Sequence, residues 1–133
     1  MAKVLIVDDD FTIVSLLTEV LQKDGHEVQS AGEPVEGMQK ARAMRPDLII
    51  LDYHMPGTTG AHLFESLRRN LSHRLTPILF MSGEAQPEVI LSEISDPQGS
   101  QFLAKPVHIA DFRQAVKDLL EQGASGAESA PPK

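Results

Sequence analysis

Residues 47–57 read Asp47-Leu48-Ile49-Ile50-Leu51-Asp52-Tyr53-His54-Met55-Pro56-Gly57, an apolar run closed by an acid and then by turn-forming residues. From Asp47 to Asp52 there is no alternation of apolar and polar positions. The segment is therefore predicted to be a strand buried on both faces, as in a parallel sheet covered by helices. Two other segments repeat the pattern of an apolar run ending in a polar residue, Lys3 to Asp8 and Pro77 to Ser82. Weaker strands are predicted over Glu27 to Ala31, where Val28 and Ala31 alone are apolar, and over Gln101 to Ala104, just before Lys105.

Helical periods fill the intervals: Phe11, Val14, Leu17 and Leu21; Val35, Met38 and Ala41; Leu63, Phe64, Leu67 and Leu71; Ile109, Phe112, Val116 and Leu119. Pro34 and Pro87 suit a first helical turn, and Pro46 bars continuation of the second helix. Gly25 and Gly123 stand where a helix wants a left-handed C-terminal residue. Residues 87–99 carry a short stripe of Val89, Ile90 and Ile94 that Pro97 and Gly99 interrupt, which predicts a short, mobile fourth helix. Strand and helix thus alternate five times, and short parallel connections place helices on both faces of the sheet. The expected fold is a doubly wound α/β domain over residues 1–123. Residues 124–133, which lack an apolar period and end in Pro-Pro-Lys, read as a disordered tail or the stub of a linker.

The chain has 133 residues, 41% hydrophobic and 23% charged, enough for one domain with a real core and too few for two. Its longest apolar runs fall far short of the roughly 20 residues that span a bilayer, and no signal peptide precedes the first, so a cytoplasmic protein without membrane association is expected. Having no Cys, it excludes disulfides, thiolate metal sites and cysteine nucleophiles. A net charge of -7 argues against binding nucleic acid directly.

In an open parallel sheet, ligands bind beyond the carboxyl ends of the strands. The first strand delivers Asp8, Asp9 and Asp10 to that edge, the third Asp52, the fourth Ser82 and the fifth Lys105. Converging carboxylates repel one another unless a cation sits among them, and an oxygen-only set suits Mg²⁺. A carboxylate beside Mg²⁺ can attack phosphorus, with a Lys ammonium neutralising the transferring group and a Ser hydroxyl adding a hydrogen bond. Each residue taken alone has a plainer explanation. Asp8 to Asp10 could begin a helix, Asp52 or Ser82 could begin a turn, and Lys105 could be a solvated charge. Their arrival at four strand ends that all face one way favours chemistry.

With Val4-Leu-Ile-Val-Asp-Asp-Asp10, Asp47 to Gly57 with Gly60, Ile78-Leu-Phe-Met-Ser-Gly83 and Phe102-Leu-Ala-Lys-Pro106, the chain resembles the receiver domain of two-component response regulators from residue 3 to about 121. The resemblance implies a flavodoxin-like (βα)5 fold with strand order 2-1-3-4-5. It implies that Asp52 is the phosphoacceptor and that Mg²⁺ is held by Asp9, Asp52 and the backbone carbonyl of His54, with Asp8 acting mostly through water. Ser82 stands for the family's switch hydroxyl, Lys105 for its phosphate-pairing lysine and Phe102 for the aromatic that turns inward on activation. The Lys105–Pro106 bond is expected to be cis.

In such domains a sensor histidine kinase or phosphotransfer protein donates the phosphoryl group. The receiver catalyses only its own phosphorylation and dephosphorylation, and the surface of the fourth helix, fifth strand and fifth helix changes to control a partner or output domain. The protein is expected as a monomer or a phosphorylation-dependent dimer. His54 and Glu84, each two residues past a site residue, are expected to tune the phosphoryl lifetime. An unchanged dephosphorylation rate in both His54→Ala and Glu84→Ala would refute that assignment.

Two rival readings use the same residues. Asp8-x-Asp10-x-Thr12 also fits the haloacid-dehalogenase phosphatases, with Asp8 as nucleophile and Asp10 as acid/base, but that reading leaves Asp52 without a role and finds no second acidic pair after Lys105. A docking module independent of phosphorylation would keep the fold without the chemistry, and the full set Asp8, Asp9, Asp52, Ser82 and Lys105 argues against it.

Overall fold

A computed structural model of the chain describes residues 2–55, 58–59, 65–66, 69, 76–83 and 100–129. Five strands form one parallel sheet: β1 (Lys3–Val7), β2 (Glu27–Ala31), β3 (Leu48–Asp52), β6 (Ile78–Ser82) and β7 (Ser100–Ala104), in the order β2-β1-β3-β6-β7. A two-stranded antiparallel hairpin, β4 (His54–Met55) and β5 (Thr58–Thr59), follows β3 directly. Counting the strands of the large sheet alone, this is the doubly wound order 2-1-3-4-5. The hairpin was not foreseen, because two-residue strands are too short to show a period.

The unbroken apolar runs follow from burial on both faces. Val4 to Val7, Leu48 to Leu51 and Ile78 to Met81 are all buried. Alternate residues go to opposite sides, as the pleat requires. Leu5, Val7, Ile49, Leu51, Ile78 and Phe80 join the core under α2 (Pro34–Met44). Val4, Ile6, Leu48, Ile50, Leu79 and Met81 join the core under α1 (Phe11–Lys23) and the C-terminal helix (Ile109–Ser129).

The helix ends have local causes. Asp10 caps α1, its carboxylate accepting the Thr12 and Ile13 N–H groups. At the other end Gly25 takes φ 90°, and the Gly25 and His26 N–H groups return to the Gln22 and Leu21 carbonyls in a Schellman closure. Pro34 opens α2. Glu33 makes no capping bond there, but the Glu36 carboxylate accepts the Gly32 N–H at 3.1 Å and pairs with Lys40 at 3.4 Å. The Gly32 N–H and then Lys40 hold the Glu36 carboxyl below its ordinary value. Pro46 keeps Arg45 out of the right-handed helix, and the chain leaves α2 through Arg45 at φ 50°.

The C-terminal helix corrects one boundary. It continues to Ser129, so Gly123 lies inside it and does not cap it. Ala124, Ala127 and Glu128 are strong helix formers, and one interior Gly costs only about 1 kcal/mol relative to Ala. Glu65, Ser66 and Arg69 are helical, within the third predicted helix. The fourth, over residues 87–99, lies outside the described residues. Among those described, no helix is long and apolar enough to cross a membrane.

Gly37 lets α2 approach β1 closely. A Cβ there would lie 2.9 and 3.1 Å from the Val7 methyls, and Val7 is held between β2 and β3. Gly37→Ala gains about 1 kcal/mol of helix propensity, which offsets a small outward shift of α2, so it should be close to neutral. Gly37→Leu has no such compensation and should lose about 2–3 kcal/mol in urea denaturation. Equal stabilities for the two variants would show that α2 is not held at this distance.

Candidate functional site

Four strand ends, those of β1, β3, β6 and β7, bring their residues together at the carboxyl edge of the sheet. Asp8 follows β1 directly, and its backbone N–H continues the ladder to the Ala31 carbonyl at 3.0 Å. Its side chain is buried, with Oδ1 accepting the Asp10 N–H at 2.9 Å and Oδ2 meeting Lys105 Nζ at 3.2 Å. Asp52, also buried, ends β3 and places Oδ1 3.5 Å from the same ammonium. Asp9 is exposed, yet one carboxylate oxygen from each of Asp8, Asp9 and Asp52 lies within 4.8 Å of the others.

Ser82 ends β6 and is buried, and its carbonyl accepts the Lys105 N–H at 2.9 Å, fastening the end of β6 to the start of the Lys105 loop. The Lys105–Pro106 bond is cis. Phe102, partly buried in β7, packs against the α2-side core. His54 begins β4, with its side chain outside the described residues, as is all of Glu84.

The donor set tests the fit of a metal. Three carboxylate oxygens from two strand ends, two of the three side chains buried, form the hard, oxygen-only environment in which Mg²⁺ is bound, and their mutual repulsion favours a divalent cation. The residues fit the ion. Burial opposes charge on Lys105, but Asp8 and Asp52 outweigh it and hold the ammonium above the ordinary lysine value. The stability this gives is fully present below about pH 10.4 and is lost only as pH rises through the raised folded-state value, so Lys105 stays charged across the neutral range.

Asp10 does not share the site. Its carboxylate is engaged by the first turn of α1, so the second acid of the phosphatase reading is committed to a cap. Tyr53 is the neighbour that sequence reasoning missed. It is buried, its N–H donates to the Met81 carbonyl at 2.9 Å, and its ring meets Phe80 edge-on at 6.5 Å. The signal was present, since Ile49, Leu51 and Tyr53 continue one face of β3 past Asp52.

A family model described as the response regulator receiver domain matches residues 4–117. Protein PilH of Pseudomonas aeruginosa is 34% identical over 121 residues, covering 90% of this chain and 98% of that protein. The alkaline phosphatase synthesis transcriptional regulatory protein PhoP of Bacillus subtilis is 29% identical over 133 residues, covering 98% of this chain. The chain spans only 53% of PhoP, and half or less of several other curated relatives. Among solved structures, the chemotaxis protein CheY4 of Vibrio cholerae superposes with a TM-score of 0.82 at 33% identity, over 90% of this chain and 98% of that one. The order of its strands, the acids and lysine at their ends and these matches agree: the chain belongs to the family of response regulator receiver domains of two-component signal transduction.

Proposed function

We propose that Asp52 accepts a phosphoryl group from a histidine kinase or a phosphotransfer protein and that the resulting charge at the strand ends is the signal. The observation that carries this reading is the convergence of Asp8, Asp9 and Asp52 within 4.8 Å around an edge that also holds Lys105 Nζ, 3.2 and 3.5 Å from two of them. An Asp52 carboxylate oxygen attacks phosphorus, the bond from phosphorus to the donor's imidazole nitrogen breaks, and the imidazole leaves with the electron pair and takes up a proton. Mg²⁺, held by Asp9, Asp52 and the His54 carbonyl with Asp8 acting mostly through water, would supply positive charge to the phosphoryl oxygens. Lys105 pairs with a further phosphoryl oxygen, and the Ser82 hydroxyl donates a hydrogen bond to it. Ser82 and Phe102 pass the change to the surface of the fourth helix, fifth strand and fifth helix, while His54 and Glu84 set how long it lasts.

Acetyl phosphate with Mg²⁺ is expected to phosphorylate the chain on Asp52, read by mass spectrometry of borohydride-trapped peptides. A label on Asp8 would overturn this assignment in favour of a phosphatase, and the absence of any label from small-molecule or kinase donors would leave only a docking module.

Lys105→Met should slow this uptake about 10²-fold, the usual loss when one charge-stabilising group is removed from a transfer site. In metal-free buffer the same variant should be less stable by about 1–3 kcal/mol, because buried Asp8 loses the partly exposed ammonium paired with it. A metal-free melting point equal to that of the wild type would show that the Lys105 pair contributes nothing.

A further inference from the structure

We infer that Tyr53 is the positioning residue that couples the state of Asp52 to Phe102, through a line of three aromatic rings on the α2 side of the sheet. The inference rests on Asp52 being the phosphorylated residue. Tyr53 follows Asp52 without a break, and its N–H is tied to the Met81 carbonyl at 2.9 Å, so a movement at the end of β3 reaches it directly, beside the route through Ser82. Its ring meets Phe80 at 6.5 Å with an interplanar angle of 67°. Phe80 is the cross-strand partner of Phe102, and all three rings belong to or pack on the same core cluster.

Tyr53 and Phe80 are 3% and 2% exposed, whereas Phe102 is only partly buried. In a close-packed interior the two buried rings cannot shift singly, since each fills the space beside the other. Displacement at the acceptor therefore falls on the one ring of the three with solvent beside it. Tyr53 touches no reacting atom in this scheme. Its role is to make the position of Phe102 depend on the end of β3.

The chain has one Tyr and no Trp, so a tryptophan reporter introduced by Phe102→Trp is read without background from another indole. The full chain carrying this reporter is titrated with beryllofluoride and Mg²⁺. Fluorine NMR reads uptake of the phosphoryl analogue, and indole emission reads the environment at position 102. With Tyr53 in place, uptake should shift the emission. Adding Tyr53→Leu or, separately, Phe80→Leu should leave uptake intact and reduce the shift at least about threefold, whereas Tyr53→Phe should retain it.

A full shift in both leucine variants would overturn the inference while leaving the function of Asp52 standing. Loss of the shift in Tyr53→Phe would move the coupling to the phenol hydroxyl and overturn the account based on rings. Absence of beryllofluoride uptake in the protein with Tyr53 and Phe80 intact would overturn the acceptor assignment and this inference together. The Phe80→Leu arm keeps the test decisive should Tyr53→Leu fail to fold.

Discussion

Asp52→Asn is expected to abolish phosphoryl uptake and, in metal-free buffer, to raise the stability of the protein. The two effects have one cause. An amide is a poor nucleophile toward phosphorus, so the transfer has no acceptor. The same replacement removes one of three negative charges whose oxygens lie within 4.8 Å. Two like charges at such a separation repel by about 3–4 kcal/mol at an effective dielectric of about 20. Asp52 faces two carboxylates and one ammonium, the latter at 3.5 Å, so one repulsion is roughly cancelled and one remains. Solvent at exposed Asp9 screens that remainder, which leaves an expected gain of about 1–3 kcal/mol.

Mg²⁺ should erase the advantage. Bound to the folded state alone, it would stabilise the wild type by about 2.7 kcal/mol at a hundred times its dissociation constant. The variant, short of one ligand, should gain less. Denaturation with chelator and with Mg²⁺ should therefore show the gap closing or inverting as metal is added. A variant that melts below the wild type with chelator present would mean that the cluster is not held under repulsion.

Lys105→Met and Asp52→Asn should thus move metal-free stability in opposite directions from within one site. A purely structural salt bridge between Lys105 and Asp52 would make both substitutions destabilising. The contrast in sign separates a charge cluster organised for a ligand from one organised for stability.

What the sequence revealed depended on the range of the signal. Val4 to Val7 and Leu48 to Leu51 are apolar at every position because both faces of the sheet are covered, and that pattern is visible without coordinates. Asp52 and Ser82 were legible because they close such runs, and Asp8 because it stands just past one. The division of labour within Asp8, Asp9 and Asp10 was not legible. All three are the same residue type, and only the fold turns Asp10 toward the Thr12 and Ile13 N–H groups while Asp8 faces Lys105. The β4–β5 hairpin was too short for periodicity, and the end of the last helix depends on small propensities that a glycine at position 123 does not outweigh. The pairing of Lys105 with Asp8 joins residues 97 positions apart, which no local pattern encodes.

Phe112→Ala should cost the most stability of any substitution considered, about 3–5 kcal/mol, as measured by urea denaturation. Phe112 is fully buried in the C-terminal helix, which packs on β3, β6 and β7. Truncation loses the transfer free energy of the ring and leaves a cavity, and the surrounding strands are held by parallel ladders that resist collapse into it. Phe112→Leu refills most of the volume and should recover more than half of the loss. The core cluster that contains Phe112 also contains Ile6, Ile50 and Met81, which stand two, two and one residues before Asp8, Asp52 and Ser82. Loosening this core should therefore weaken Mg²⁺ binding as well as the fold, since Asp52 and Ser82 close β3 and β6, two of the strands on which the Phe112 helix packs. A loss below about 1 kcal/mol in Phe112→Ala would show that the strands close the cavity. Unchanged Mg²⁺ affinity alongside the full loss would show that the ladders alone hold the carboxylates in place.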